Sequence, residues 1–225
     1  MNIERKFGLP VVNSENINAV LEQIGITKWE MVEEPQDLNS YLKYRSISEI
    51  NRLLRFIPVD EVASFKQPDG QIFRGVRRTI TDGVVTFTIL PGNLVAICAE
   101  FKHGIEEVSV NLPGGGNHHN EKHSHVAKEE FEQETGIVLR EVVGLSPLGI
   151  SSDARIHKSR TFYFLGVVDD PPVVQVKKLD ENEILEPLLI PLKEWLKLIE
   201  INKVIDGQSV ICTYLALAKM GYVKV

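Results

Sequence analysis

Cysteine is scarce in this 225-residue chain: there are two, Cys98 and Cys212, far apart and each inside an apolar run. So few thiols point away from a disulfide-stapled fold and toward buried free thiols in a reducing compartment. Long apolar stretches are missing too. Nothing approaches the roughly 18 unbroken apolar residues of a membrane span. The opening residues 1–10 carry charges but no apolar core of signal-peptide length. A cytoplasmic protein with no membrane partner is therefore expected. Positive charge is in deficit, with 25 Lys and Arg against 31 Asp and Glu, a net charge of −6. That argues against a nucleic-acid surface, which usually shows a basic stripe. It leaves open small molecules bearing phosphate, because a bound cation can reverse the local sign. Internal repeats and low-complexity segments are also absent.

What is present is ordinary for a globular chain: 43% hydrophobic and 25% charged residues. The length suits one large domain, or a core domain with an extension. Ile17, Val20, Leu21 and Ile24 fall at helical spacing after Ser14, with Gly25 as a stop. Ser46 and Glu49 form a capping-box pattern before Ile50, Leu53, Leu54 and Ile57, and Pro58 ends that helix. Residues 1–70 thus read as a mainly helical N-terminal extension, and 71–225 as the main domain. Strand-rich runs follow at 73–80 and 84–90, split by Thr81-Asp82-Gly83, a hairpin turn signal. Further strands are expected at 94–101, 107–111, 137–143, 161–168 and 184–190. A polar helix is expected over 124–135, closed by Gly136. Two more helices are expected over 191–200 and after Asp206, which can cap the last. Strands first, then a helix, then more strands and helices imply an α/β (α+β) fold with a mixed sheet and helices on its faces.

The chemistry concentrates between Leu112 and Ile137, in LPGGGNHHNEKHSHVAKEEFEQETGI. Three glycines allow close backbone approach. They lead into a helix rich in carboxylates: Glu129, Glu130, Glu132 and Glu134, with Glu121 just before it. Glu130, Gln133 and Glu134 share an arc about 100° wide, and Ala127 and Phe131 lie on a neighbouring packing flank. Such a helix reads either as a solvated acidic face or as a cation site. The carboxylates sit toward the helix C-terminus, where the macrodipole disfavours negative charge. Two of them about 5 Å apart, at an effective dielectric near 20, repel by roughly 3 kcal/mol. A divalent cation relieves both costs, and oxygen ligands without cysteine suit Mg²⁺ or Mn²⁺.

This segment resembles the Nudix box. That box has a glycine, five residues, Glu, seven residues, Arg-Glu, an aliphatic, any residue, Glu-Glu, any residue, Gly and an aliphatic. The chain supplies Gly115, Glu121, then Glu129-Glu130-Phe131-Glu132-Gln133-Glu134-Thr135-Gly136-Ile137. The spacing is complete, with two departures: Glu129 stands at the arginine, and Gln133 at the first of the paired glutamates. Thr81 to Val85, Leu94 to His103, Asn111 to Gly115 and Val204 to Gly207 are similar to the ADP-ribose pyrophosphatase branch. The resemblance implies a Nudix-type α/β/α sandwich with an N-terminal helical extension, a homodimer, and Mg²⁺ or Mn²⁺. It implies hydrolysis of the diphosphate in a nucleoside diphosphate-linked small molecule, with ADP-ribose or an ADP-sugar foremost. A catalytically impaired module that binds a nucleotide-sugar or scaffolds a partner is the alternative.

Carried over position by position, the resemblance assigns the metal to Glu130, Glu134, Gln133 and the Gly114 carbonyl. Gln133 offers only a neutral oxygen, and Glu129 removes a cation that restrains a helix carboxylate. Glu130 and Glu134 are the catalytic carboxylates. Asp153, in Ser146-Pro147-Leu148-Gly149-Ile150-Ser151-Ser152-Asp153-Ala154, stands as a base or as a turn-forming aspartate. Glu181 and Glu183 are alternatives. Arg77, Lys102, Gly115 and His118 are the substrate-binding candidates, with Arg74, Arg78, Arg155, Lys158 and His119 beside them. Phe73 and Phe101 read as core aromatics of their strands, or as rings that stack on a base, and His118, His119, His123 and His125 read as a polar loop, with a zinc-binding cluster as the alternative.

Overall fold

The computed structural model describes residues 3–35, 40, 43, 45–48, 59–179 and 184–223. Most of the helix expected around Glu49 to Ile57, and the alternative acids Glu181 and Glu183, lie outside these residues. The chain divides into two compact units. The first comprises Met1–Trp29, Asp82–Ile150 and Thr161–Val225, and the second Glu30–Thr81 with Ser151–Arg160.

The first unit opens with a short hairpin, β1 (Arg5–Lys6) and β2 (Leu9–Pro10), and helix α1 (Ile17–Gln23). Ile17, Val20 and Leu21 of α1 are buried, as their helical spacing predicts, and Gly25 follows at φ 83°. Burying such side chains stabilises by roughly 1.5–3 kcal/mol each. The remaining strands are β5 (Gly83–Leu90), β6 (Leu94–Lys102), β7 (Glu107–Asn111), β8 (Gly114–Gly116), β9 (Glu141–Gly144), β10 (Thr161–Val167) and β11 (Leu185–Pro191). They form a seven-stranded sheet of order β11-β6-β5-β10-β9, with β7 pairing β6 and β8 pairing β5. β10 runs parallel to β5 while its other neighbour, β9, is antiparallel, so the sheet is mixed.

Alternation along β6 sorts side chains to the two faces. Val95, Ile97 and Ala99 join the core that contains α1, α3 (Leu192–Glu200) and α4 (Gly207–Lys219). Leu94 and Ala96 pack instead with Phe131 of α2 (His123–Thr135). Helices therefore cover both faces, the α/β/α layering expected from the order of elements. Trp195 of α3 is fully buried and its indole N–H donates to Thr213 Oγ1 at 3.0 Å. Both cysteines are buried and free. Among the described residues, no helix is long and apolar enough to cross a membrane.

The second unit holds an antiparallel ribbon of β3 (Val59–Lys66) and β4 (Ile72–Thr79). The hairpin expected between 73–80 and 84–90 does not form: β4 takes its ladder from β3, and β5 takes its own from β6, β8 and β10. The turn that does close a hairpin is Gln67 to Gln71, with Gly70 at φ 89° and the Asp69 carboxylate accepting from Gln71 N–H at 3.0 Å. Asp-Gly supplies that left-handed step locally, so the ribbon needs no signal from residues 81–83. The boundary expected at residue 70 falls inside this turn, because the β3–β4 ladder ties both sides of it together. The strand expected over 137–143 is shorter, Glu141–Gly144, with Ile137 making an isolated bridge to Val174.

Asp206 caps α4 by accepting from the Gln208 and Ser209 amides. Ser209 Oγ in turn accepts from Leu112 N–H at 2.8 Å. Replacing Asp206 by Ala is expected to lower stability by about 1–2 kcal/mol, read as a reduced urea midpoint at unchanged m. Gly136 closes α2 at φ 72°, and a Cβ there would lie 2.5 Å from the Gln175 carbonyl oxygen. Gly136→Ala is expected to cost about 1–3 kcal/mol in the same measurement.

Candidate active site

The site is assembled where β8 crosses the acidic face of α2. β8 pairs antiparallel with β5, Val84 facing Gly115 and Val85 facing Gly114. On either side of this stretch Thr86 N–H donates to Pro113 O at 2.9 Å and Asn117 N–H to Asp82 O at 2.7 Å. In an antiparallel ladder the intervening residue points its backbone groups outward, so the N–H and C=O of Gly114 turn away from β5. The Gly114 N–H donates to Glu134 Oε2 at 3.0 Å. A Cβ at either glycine meets a neighbour, backbone in one case and the end of a flexible side chain in the other. A Cβ at Gly114 would stand 2.2 Å from the Val84 carbonyl oxygen, and one at Gly115 2.4 Å from the carboxyl carbon of Glu130.

Helix α2 is anchored by Val126, Ala127 and Phe131, all buried. At about 100° per residue this anchorage decides where each acid points. Glu134 is buried at 6% exposure, and Glu130 lies half-buried over Gly115. Glu132 accepts the Leu139 N–H at 2.8 Å and so pins the chain after the helix. The Gln133 side chain is exposed, and the Gln133 backbone carbonyl accepts from Lys178 N–H at 2.9 Å. Glu129 is half-exposed and lies 3.3 Å from His125 Nε2. Glu130, Glu134 and the outward carbonyl of Gly114 thus form an oxygen donor set at one backbone crossing. That chemistry fits Mg²⁺ or Mn²⁺, and the glycine cradle leaves room for the Glu130 carboxylate. Gln133 does not join it, because its place on the helix turns it to solvent.

The four histidines do not converge. His118 and His119 are exposed, with His118 lying against Gly116. His123 stacks on Phe162 at 3.7 Å between ring centroids and faces Asp82 at 3.3 Å. His125 stands between Glu121 and Glu129. Among the described residues these last three make the one grouping of three His, Cys, Asp or Glu side chains at metal-ligand spacing, and all three are exposed. Asn117, which sequence reasoning missed, clamps Glu121 through both backbone groups, at 2.9 and 2.8 Å.

The sheet face beside Glu134 carries a second feature without a motif. Cys98 S–H points at Glu134 Oε2, 3.7 Å away. Burial, then the neighbouring Glu134 and Glu100 carboxylates, push its thiol well above the ordinary range, so it stays protonated. Across the ladder Cys98 faces Asn111, Glu100 faces Ser109 and Lys102 faces Glu107. Asn111 Nδ2 donates to Glu100 Oε1 at 3.2 Å, and Lys102 Nζ lies 2.6 Å from the same oxygen. Lys102, expected to meet substrate, is therefore held by Glu100. Asn111 Oδ1 and Ser109 Oγ are buried without a hydrogen-bond partner among the described residues. Each such group costs roughly 1–3 kcal/mol.

Arg77 and Asp153 belong to the second unit. Arg77 donates to Glu61 and lies over the Phe65 ring at 5.6 Å. Arg78 pairs with Asp60 at 2.8 Å and Lys158 with Glu61 at 3.1 Å. Asp153 accepts from the Arg155 backbone N–H at 3.0 Å and from its guanidinium. Arg155 holds its carboxyl below the usual range. These are the contacts of a turn-forming aspartate, the plainer of its two sequence readings.

No family model matches the chain. Over 130 residues it is 23% identical to the ADP-ribose pyrophosphatase of Bacillus subtilis (strain 168), covering 56% of this chain and 66% of that protein, just under two thirds. Among solved structures it is similar to an ADP compounds hydrolase, with a TM-score of 0.60 and 18% identity over 74% of this chain and 90% of that one. The mixed sheet between helices and the likeness to that solved structure agree on the fold: the chain has a Nudix-type fold, and part of its length is similar in sequence to an ADP-ribose pyrophosphatase.

Proposed function

We propose that this protein hydrolyses the diphosphate of a nucleoside diphosphate linked to another moiety, with ADP-ribose or an ADP-sugar as the leading substrate. The observation that carries this reading is the placement of Glu130 and Glu134 on the glycine strand, one over Gly115 and the other on the Gly114 N–H. The similarity to an ADP-ribose pyrophosphatase supports the substrate class.

Glu130, Glu134 and the Gly114 carbonyl hold Mg²⁺ or Mn²⁺ in this proposal. When bound, the cation neutralises and orients the diphosphate and assists a water toward phosphorus. The oxygen of that water bonds to one phosphorus as the bridging P–O bond breaks. The products are a nucleoside monophosphate and the phosphate ester of the other moiety, with release of a proton. The Gly114 N–H holds the Glu134 carboxylate in place through Oε2. Buried Cys98, in contact with Glu134, limits water around that carboxylate. The cytoplasmic homodimer that the resemblance implies is part of the same proposal.

The altered box positions set how many ions are held. With Gln133 exposed and Glu129 turned to His125, the donor set has fewer charges than the family pattern. This favours weak retention of a second ion and slow turnover, strongest with Mn²⁺.

Two experiments test the reading. Incubation with a panel of nucleoside diphosphate-linked compounds and Mn²⁺ is expected to release a nucleoside monophosphate. Glu134→Gln is expected to weaken Mn²⁺ binding by at least tenfold in calorimetry. Equal Mn²⁺ binding by variant and wild type, or an intact panel, would overturn it. Gly115→Ala meets only the end of the Glu130 side chain, whereas Gly114→Ala meets backbone. Gly115→Ala is therefore expected to keep its melting temperature while losing Mn²⁺ affinity, and Gly114→Ala to melt several degrees lower.

A further inference from the structure

We infer that the polar strip on the β6–β7 hairpin is a specificity surface, on which Ser109 and Asn111 read a hydroxyl-rich group joined to the diphosphate. This rests on the diphosphatase reading and goes beyond it by naming the residues that select the second moiety.

The strip begins at the site itself. Cys98 touches Glu134, and the ladder runs outward from it through Asn111, Glu100 and Ser109 to Lys102. The opposite face of the same hairpin is packing: Ala99 and Val110 are in the core. A strand pair needed only for stability would carry apolar residues on both buried faces. Here Ser109 is 1% exposed and Asn111 7%, and each keeps an oxygen with no partner among the described residues. Unpartnered buried groups in a folded protein call for an explanation, and a ligand supplies one. Ser109 also lines a cavity of about 320 Å³ with Lys102, His103, Gly104, Ile105 and Ile205.

The chemistry of the strip selects among ligands. Asn111 Nδ2 is committed to Glu100, which orients Oδ1 as an acceptor. Glu100 is a second acceptor, and Ser109 Oγ can accept or donate. A row of acceptors pairs with hydroxyl donors, as on a pentose or hexose. A further phosphate would face the Glu100 carboxylate, with Glu107 opposite Lys102. A planar base would find no phenyl or indole ring here, because Phe101 lies on the other side of the strand and stacks on Trp29 at 5.0 Å, and it would leave the row of acceptors largely unpaired. An apolar group would leave both oxygens unpaired. The sugar hydroxyls thus complete the hydrogen bonds that the free protein leaves open.

The test compares two non-hydrolysable ligands by calorimetry with Mn²⁺: ADP-ribose and ADP, each with a methylene in place of the bridging oxygen. Wild type is expected to bind the ADP-ribose analogue, which carries the second ribose, more tightly. Ser109→Ala is expected to weaken that ligand about tenfold and leave the ADP analogue within twofold. Its melting temperature should hold or rise, because an unpaired hydroxyl is removed. Asn111→Ala should remove most of the remaining preference. Should that variant fail to fold, Ser109→Ala decides alone. Equal weakening of both ligands, no weakening of either, or a wild type without preference would overturn this inference and leave the diphosphatase reading standing. A wild type that binds neither ligand would overturn both.

Discussion

The close approach of β8 to helix α2 is the constraint on which the rest depends. At two backbone positions there a side chain meets a close neighbour: at one the Val84 carbonyl, which cannot give way, and at the other the Glu130 carboxylate, which must move aside. Glycine at both lets a strand lie directly beneath an acidic helix face. The outward N–H of Gly114 then meets Glu134, and the outward carbonyl is left for chemistry. Without that contact the carboxylates would be a charged helix face with no floor, and the repulsion between them would have nothing built against it.

The same helix shows how packing sorts residues of one type into different roles. Phe131 and Ala127 face the sheet, which fixes the rotation of α2. Rotation alone then assigns Glu134 to the interior, Glu130 to the glycine strand, Glu132 to the Leu139 amide and Glu129 to His125. Four carboxylates within six residues have four environments. The two positions that depart from the Nudix box, Glu129 and Gln133, both lie toward solvent, so the departures leave the inner pair in place. The Glu121–His125–Glu129 ladder occupies the edge where the family pattern has an arginine.

The sheet extends this sorting beyond the motif. Because β6 alternates, one row of its side chains builds the core with α1, α3 and α4, and the other meets α2 and then runs past it. Along that face the residues change from Leu94 and Ala96 to Cys98, which meets Glu134 of α2, and then to Glu100 and Lys102. The polar part of the strand begins at the point where the site begins. A surface continuous with Glu134 is thus made from strand positions that carry no local signature.

Much of the molecule was legible from local order. The periodicity of α1, the Gly136 stop, the Asp206 cap, the strand runs and the spacing from Gly115 to Ile137 each depend on residues within a turn or two of one another. Side-chain period and dihedral preference encode these directly. What only the tertiary structure decided involves partners distant in the chain. β4 pairs with β3 rather than with the strand after Thr81-Asp82-Gly83, Lys102 is held by Glu100, and Gln133 turns out while Glu134 turns in. Ser109 and Asn111 face Glu100 and Cys98 only because of one particular register, and a shift of β7 by one residue would send Ser109 and Asn111 to the other face. Register is fixed by the summed burial of a whole sheet face, so no short stretch of sequence contains it.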